Sequence, residues 1–333
     1  MAKNAEDRYQ SATGLLADLE QCQNQIQNHG IISDFIPGQL DAMSQLSIPQ
    51  KLYGREKQVE QLLQIFDQVS KGGSKIVMVC GYSGIGKSVL VHEIIRVLTH
   101  QHGYFIFGKF DQFKRNIPYE SFNQAMRSFV NQILMESQTQ LAQWRETLLN
   151  ALDVNAQIAI DAIPELELIL GPQPPLPELG VIESQNRFNR VMQQFIHAIA
   201  TAEYPLVIFL DDCQWMDAGT VNMYQHNCLE KNPYLLVINA YRDNEVSPTH
   251  PLMLANETIR ATGISMTEIA LKPLAISDVT KLVSETLNCS FKKAVILRKL
   301  LLDKTDENSF FIKQLFSALH QENLLEFNSE SDE

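Results

Sequence analysis

The chain has 333 residues, 45% of them hydrophobic, which suits one large core plus a smaller appended domain and excludes general disorder. Against 27 basic residues stand 39 acidic ones, and the formal charge of -12 gives a surface that repels phosphate backbones and disfavours nucleic acid as the main partner. No apolar run approaches the roughly 18 residues of a membrane helix and no signal-peptide pattern opens the chain, so no membrane span, no export and a cytoplasmic location are expected.

Residues 1–28 are polar and helix-forming, and 29–50 carry Gly30, Pro37, Gly38 and Pro49 between short apolar pieces, which reads as a helical stub followed by a linker. A core is expected over 51–274. It opens with Leu-Tyr-Gly-Arg-Glu and a helix bearing Val59, Leu62, Leu63, Phe66 and Val69 at helical spacing. Short apolar runs at 76–80, 104–110, 205–210, 234–240 and 267–271 read as strands. Helical patterns separate them, as in a parallel sheet with crossovers. A mostly helical insertion fills about 119–202, broken by the proline-rich stretch 171–177. Three helices at 276–288, 291–303 and 309–325 are expected to form a small lid over 275–327, before an acidic tail at 328–333.

The five cysteines, Cys22, Cys80, Cys213, Cys228 and Cys289, are scattered, with no C-x-x-C pair and no histidines at metal spacing, so they read as reduced thiols. Cys80 and Cys213 fall in or beside the expected strands, where cysteine acts as a small hydrophobe.

The most informative stretch is Ile-Val-Met-Val-Cys-Gly-Tyr-Ser-Gly-Ile-Gly-Lys-Ser at 76–88, an apolar strand entering G-x-x-x-x-G-K-[ST]. Glycines permit a backbone that wraps an anion, so Gly81, Tyr82, Ser83, Gly84, Ile85 and Gly86 are expected to cradle phosphates with their amides. Lys87 reaches the β and γ phosphates, and the Ser88 hydroxyl ligates Mg²⁺. The bland alternative is a glycine turn with a surface lysine. Val-Ile-Phe-Leu-Asp211-Asp212 is a strand ending in two acids, the form of a Walker B element: Asp211 holds the metal and Asp212 polarises water. An aspartate in the second place is one methylene shorter than glutamate, which suits slow turnover. Arg242 follows the next strand at the carboxyl edge, where it can report the γ phosphate, or else pair with Asp243 or Glu245. Tyr53, Gly54 and Arg55 are candidates for the adenine side, or an ordinary helix start. Arg187 and Arg190 read as a solvated helix face, Phe310 and Phe311 as a helix packing on its neighbours, and His250 receives no role.

Together Leu-Tyr-Gly-Arg-Glu, the glycine loop, Gly-Lys-Phe-Asp-Gln-Phe-Lys-Arg-Asn-Ile-Pro-Tyr, Phe-Leu-Asp-Asp-Cys-Gln-Trp-Met-Asp and Ala-Tyr-Arg-Asp-Asn-Glu resemble, from Leu52 to Phe327, the AAA-type ATPase module of large bacterial signalling proteins. Those proteins join a serine/threonine kinase, this module, sensor domains and a histidine kinase, and the module belongs with the STAND class of P-loop switches. The resemblance implies an α/β P-loop NTPase (AAA/STAND-like) with a parallel sheet flanked by helices and a C-terminal helical lid. It also implies ATP/ADP and Mg as cofactors, and kinase, sensor and histidine kinase domains as partners in cis or in trans. Residues 1–22 resemble the end of a kinase domain, with Arg8 at its late arginine. A glycine-rich kinase loop, His-Arg-Asp and Asp-Phe-Gly are missing, so the chain is not itself a kinase. Where the class carries Gly-Asn-Pro before two aromatics, this chain has Glu307-Asn308-Ser309. Three functions compete: an ATP-hydrolysing signalling switch, a non-hydrolysing interaction scaffold, and a DNA-acting AAA-type ATPase, the last disfavoured by the acidic surface.

Overall fold

A computed structural model describes residues 9, 12–33, 35, 37, 51–100, 103–114, 117–177, 179–229, 232–287, 289–305, 308–322 and 324. Most of the expected linker, Arg8, Glu307 and the acidic tail lie outside these residues. The chain divides into two compact units, 55–272 and the combination of 1–54 with 273–333.

The unit over 55–272 is built on five strands: β1 (Ser74–Cys80), β2 (Tyr104–Lys109), β3 (Leu206–Asp211), β4 (Leu235–Tyr241) and β5 (Met266–Ala270). They form one sheet in the order β2-β3-β4-β1-β5, and every pair is parallel. All residues of β3 and β4 are buried, the mark of strands covered on both faces, and this is why they appear in sequence as unbroken apolar runs. Leu210 pairs with Asn239 and Cys80 with Tyr241, so β1, β3 and β4 end near one level and deliver their loops to one edge. Ligands sit at that edge in open α/β sheets.

Helices alternate with the strands. The first two are α1 (Ala12–His29), in the other unit, and α2 (Glu56–Ser70), which buries Leu62, Ile65, Phe66 and Val69 at i, i+3, i+4 and i+7. After β1 comes α3 (Lys87–His100). The insertion between β2 and β3 holds α4 (Glu120–Ile133), α5 (Gln138–Leu152), α6 (Ala156–Ala162), α7 (Glu167–Leu170) and α8 (Val181–Ile199). The stretch 171–177 carries no helix or strand. Helix α4 buries Phe122, Ala125, Met126, Phe129, Val130 and Ile133 along one face, while α5 starts at a capping box in which Ser137 accepts from Gln140 N–H. Two further helices, α9 (Ala218–Leu229) and α10 (Pro251–Ala261), flank β4 in the chain. The insertion and the sheet share one core. At its base Tyr104, which opens β2, meets Phe129, Trp144 and Tyr204 with ring centroids 5.0, 5.8 and 5.6 Å away. Such edge and tilted contacts add to burial. The Tyr104 hydroxyl donates to Glu136.

The second unit has its own core: Tyr53, Leu274, Val279, Leu282, Val283, Ala294, Leu301, Ile312 and Phe316. These come chiefly from α11 (Ile276–Thr286), α12 (Phe291–Thr305) and α13 (Ser309–Gln321). Phe310 and Phe311 are half-exposed, at 51% and 54%, and touch each other; Ile312 and Phe316 pack the core instead. The expectation that the paired aromatics pack their helix is corrected by one step of helical phase. No helix among the described residues is long and apolar enough to cross a membrane.

Candidate functional site

The loop Gly81–Gly86 leaves β1 and feeds α3 at Lys87. Gly81, Gly84 and Gly86 have φ of 146°, 75° and 102°, a region that L side chains rarely enter. A Cβ on Gly81 would stand 2.7 Å from the Leu271 carbonyl oxygen. Ile85, 2% exposed, pins the loop to the core, whereas Tyr82, Ser83 and Gly84 face outward. The Lys87 ammonium donates to the carbonyls of Gly81 and Tyr82, at 2.7 and 2.9 Å. Burial pulls its pKa down, and the nearby Asp211 and Asp212 work against that.

Across β4, the end of β3 brings its acids to the same place. The Ser88 hydroxyl donates to Asp211 Oδ2 at 2.7 Å, and Asp211 Oδ1 accepts the Asp212 N–H at 2.9 Å. Asp212 sits at φ 54°, a left-handed conformation that aspartate tolerates, and its carboxylate meets three donors. Lys109 Nζ and Arg242 Nε each lie 3.4 Å away, and Gln214 Nε2 donates at 3.0 Å. Arg242 is itself held by Glu245 at 2.7 Å and lies 4.7 Å over the Trp215 ring. Of the two expectations for Arg242, pairing with Glu245 is met, and Asp212 is a second partner. A cleft of about 550 Å³ opens beside these groups, lined by Lys109, Phe113, Arg127, Trp215 and Arg242 as well as Asp212.

Tyr53, Gly54 and Arg55 part company. Arg55 belongs with the sheet unit and donates to the Ile85 and Lys272 carbonyls at 3.4 and 2.6 Å, so it braces the glycine loop. Tyr53 and Gly54 belong with the helical unit: the Tyr53 hydroxyl donates to Glu285 at 2.7 Å, and a Cβ on Gly54 would run into Asp278. The Lys51 ion pair, then the Tyr53 hydrogen bond, hold Glu285 below the usual carboxylate range. Burial and that same bond push Tyr53 up.

Lys109 and Gln214 carry no role in the sequence reading, yet both grip Asp212. Lys109 is the last residue of β2, paired with Asp211 in register, and its meeting with Asp212 depends on the β2-to-β3 pairing. His250 also gains a place: its Nδ1 accepts the Leu252 N–H at the start of α10, and Nε2 donates to the Gln214 carbonyl at 3.2 Å.

The loop and the two acids suit a magnesium nucleotide. The positive φ of Gly81, Gly84 and Gly86 lets the loop curl as an anion cradle requires, and a hydroxyl beside a carboxylate is a hard oxygen pair of the kind Mg²⁺ takes along with phosphate oxygens. Among the described residues no group of three or more His, Cys, Asp or Glu side chains gathers to hold a metal by protein ligands alone.

A parallel sheet with this loop between strand and helix defines the class, a P-loop NTPase of AAA-like fold with a helical C-terminal part. The family model described as the AAA ATPase domain matches residues 51–238, more than half of the chain, and the chain belongs to that family. Among curated proteins, Hybrid signal transduction histidine kinase G of Dictyostelium discoideum is 28% identical over 417 residues, covering 100% of this chain and 12% of that protein. Peroxide stress-activated histidine kinase mak3 of Schizosaccharomyces pombe is 21% identical over 370 residues, covering 86% of this chain and 15% of the relative. The chain thus spans a small part of the proteins it matches. Among solved structures, Cdc6p from Pyrobaculum aerophilum aligns with a TM-score of 0.47 at 13% identity over 85% of this chain and 66% of its own. Drosophila ORC bound to DNA aligns at 0.47 and 10% identity over 92% and 69%.

Proposed function

We propose that the chain binds ATP and ADP with Mg²⁺ on Gly81–Ser88, hydrolyses ATP slowly, and serves as a STAND-type nucleotide switch within a multidomain cytoplasmic signalling protein. The observation that carries this reading is the 2.7 Å bond between Ser88 and Asp211, which joins the glycine cradle to the acid at the end of β3. In this reading the loop amides and Lys87 bind the phosphates, and Ser88 and Asp211 hold the metal, which when bound neutralises charge on the phosphates. Asp212 takes a proton from water as the water oxygen bonds the γ phosphorus and the bond to the β,γ-bridging oxygen breaks, leaving ADP and phosphate. Arg242 and Gln214 meet Oδ1 and Lys109 meets Oδ2, which leaves Asp212 few acceptor sites for the proton of a water and supports slow turnover. Arg242, which follows β4 at the same edge, is in this reading the candidate to meet the γ phosphate.

The placing in a signalling protein is supported by the histidine kinases to which the chain is similar. Kinase, sensor and histidine kinase segments are then the partners, on the same chain or on another. One observation favours a second reading, a nucleotide-bound scaffold that does not hydrolyse: all three donors around Asp212 are engaged with it. A DNA-acting role finds no support in a charge of -12.

The test is ATP binding and phosphate release for wild type, Lys87→Ala and Asp212→Asn. The switch reading expects Lys87→Ala to weaken binding on the order of 100-fold, since two charge-assisted contacts to phosphate are worth about 3 kcal/mol. It expects Asp212→Asn to bind normally but turn over about 10²- to 10⁴-fold more slowly. Tight binding with no release by wild type selects the scaffold; equal binding by wild type and Lys87→Ala removes both readings.

A further inference from the structure

Gln214 lies in the short turn Cys213–Trp215 after β3 and is 2% exposed. Its side-chain amide is committed at both ends. Oε1 accepts the Arg242 backbone N–H at 3.1 Å, and Nε2 donates to Asp212 Oδ1 at 3.0 Å. A peptide N–H is a donor only, so the amide oxygen must face it and the NH₂ must face the carboxylate. Turning the amide over would set donor against donor and acceptor against acceptor. The main chain of Gln214 is held as well. Because His250 Nδ1 accepts the Leu252 N–H, the neutral ring carries its proton on Nε2, which donates to the Gln214 carbonyl at 3.2 Å. One buried residue therefore ties the acid after β3 to the exit of β4 and to the start of α10.

The other two donors on Asp212 are held differently. The Lys109 side chain is 55% exposed, and such a pair gains little from a flexible lysine in contact with water. Arg242 divides its guanidinium between Asp212, Glu245 and the Trp215 face. Either cation can change partner, while the buried amide bond is costly to break.

We infer that Gln214 is a positioning residue for the reaction proposed above: it holds the Asp212 carboxylate in the orientation from which that group accepts the proton of the attacking water. The inference rests on the ATPase reading. Gln214 acts only through Asp212.

The experiment uses the full chain with Gln214→Ala and Gln214→Glu, each alone and combined with Asp212→Ala. Gln214→Glu keeps the acceptor for the Arg242 N–H but sets a second carboxyl against Asp212, so the pair shares a proton or repels in place of the amide's fixed donation. Both single variants are expected to slow single-turnover hydrolysis of ATP on the order of 10²-fold, the cost of a misplaced reacting group. The ATP dissociation constant should stay within about twofold, because distant contacts to the phosphates are untouched. In the Asp212→Ala background neither change at Gln214 should slow the reaction further. Urea midpoints of the nucleotide-free proteins form a second cycle, and they should be non-additive for Gln214 and Asp212. Equal slowing in the presence and absence of Asp212, or wild-type turnover by Gln214→Ala, overturns the inference. If wild type and Asp212→Ala turn over alike, the ATPase reading itself fails, and additive midpoints then overturn the Gln214 assignment on their own.

Discussion

The two ends of the same parallel sheet differ in kind. At the base, where β2 begins, Tyr104 packs against Phe129, Trp144 and Tyr204, and Trp144 in turn lies 5.4 Å from both Phe129 and Tyr204. At the opposite edge, where β2 ends, Lys109 is drawn into a polar group of Asp211, Asp212, Gln214 and Arg242. Apolar contacts at the base are non-directional and large in sum, so that end supplies stability. Charged and amide groups at the edge cost desolvation and return it only through fixed partners, so that end stores chemistry at little gain in stability.

The base is the place where the largest loss of stability is expected. Trp144→Ala removes a ring that is 6% exposed and contacts three others, and should cost about 3–5 kcal/mol in denaturant unfolding, with nucleotide affinity within about twofold of wild type. A large loss of affinity would show that the two ends are coupled. Gly108→Ala tests the joint between them. A Cβ there would come within 2.1 Å of the Ser121 carbonyl oxygen at the start of α4 and 3.3 Å of the Leu210 side chain. The expected cost is about 1–3 kcal/mol, from a shift of β2 against α4. Because Lys109 is the next residue, the same change should disturb turnover too, read as phosphate release at saturating ATP.

Much of this contrast is legible along the chain, for a physical reason. All five strands fall within a residue or two of the expected runs; for β3 and β4 this is because a strand buried on both faces needs a short unbroken apolar stretch and little else supplies one, whereas β2 and β5 are only partly buried. The glycine loop and the paired acids are equally local, each a feature of consecutive residues. What escapes is pairwise. Lys109 has no role along the chain until the register sets it beside Asp211, and Gln214 matters only because Arg242 N–H lies on its far side. Tyr53 and Arg55 are two residues apart and look like one motif, yet they serve different units. A turn of backbone at Gly54, φ 64°, separates them, and sequence spacing carries no record of it. The half-exposed Phe310 and Phe311 show the same limit: pattern gives an apolar helix, and only the packing of Ile312 and Phe316 sets its phase.

A smaller effect belongs to the edge. Lys87→Met removes a buried cation whose two acceptors are carbonyls of its own loop, so unfolding stability without nucleotide should stay within about 1 kcal/mol of wild type. The two ends also part in alkali. Burial lowers the Lys87 pKa below 10.5, so as pH rises toward that value the unfolded chain binds more protons than the native one and stability gains from this group. Burial, followed by the bond to Glu136, raises Tyr104 above 10.0, so its contribution is complete below pH 10 and is lost as pH climbs beyond it. Urea unfolding from about pH 8 to about pH 11 should therefore show Lys87→Met flattening the rise on the lower side and Tyr104→Phe softening the fall on the upper side. If Tyr104→Phe leaves the fall unchanged, then other groups raised by burial, the thiols of Cys80, Cys213 and Cys228 as well as Tyr224 and Tyr241, carry the alkaline loss, and the base of β2 is not its source.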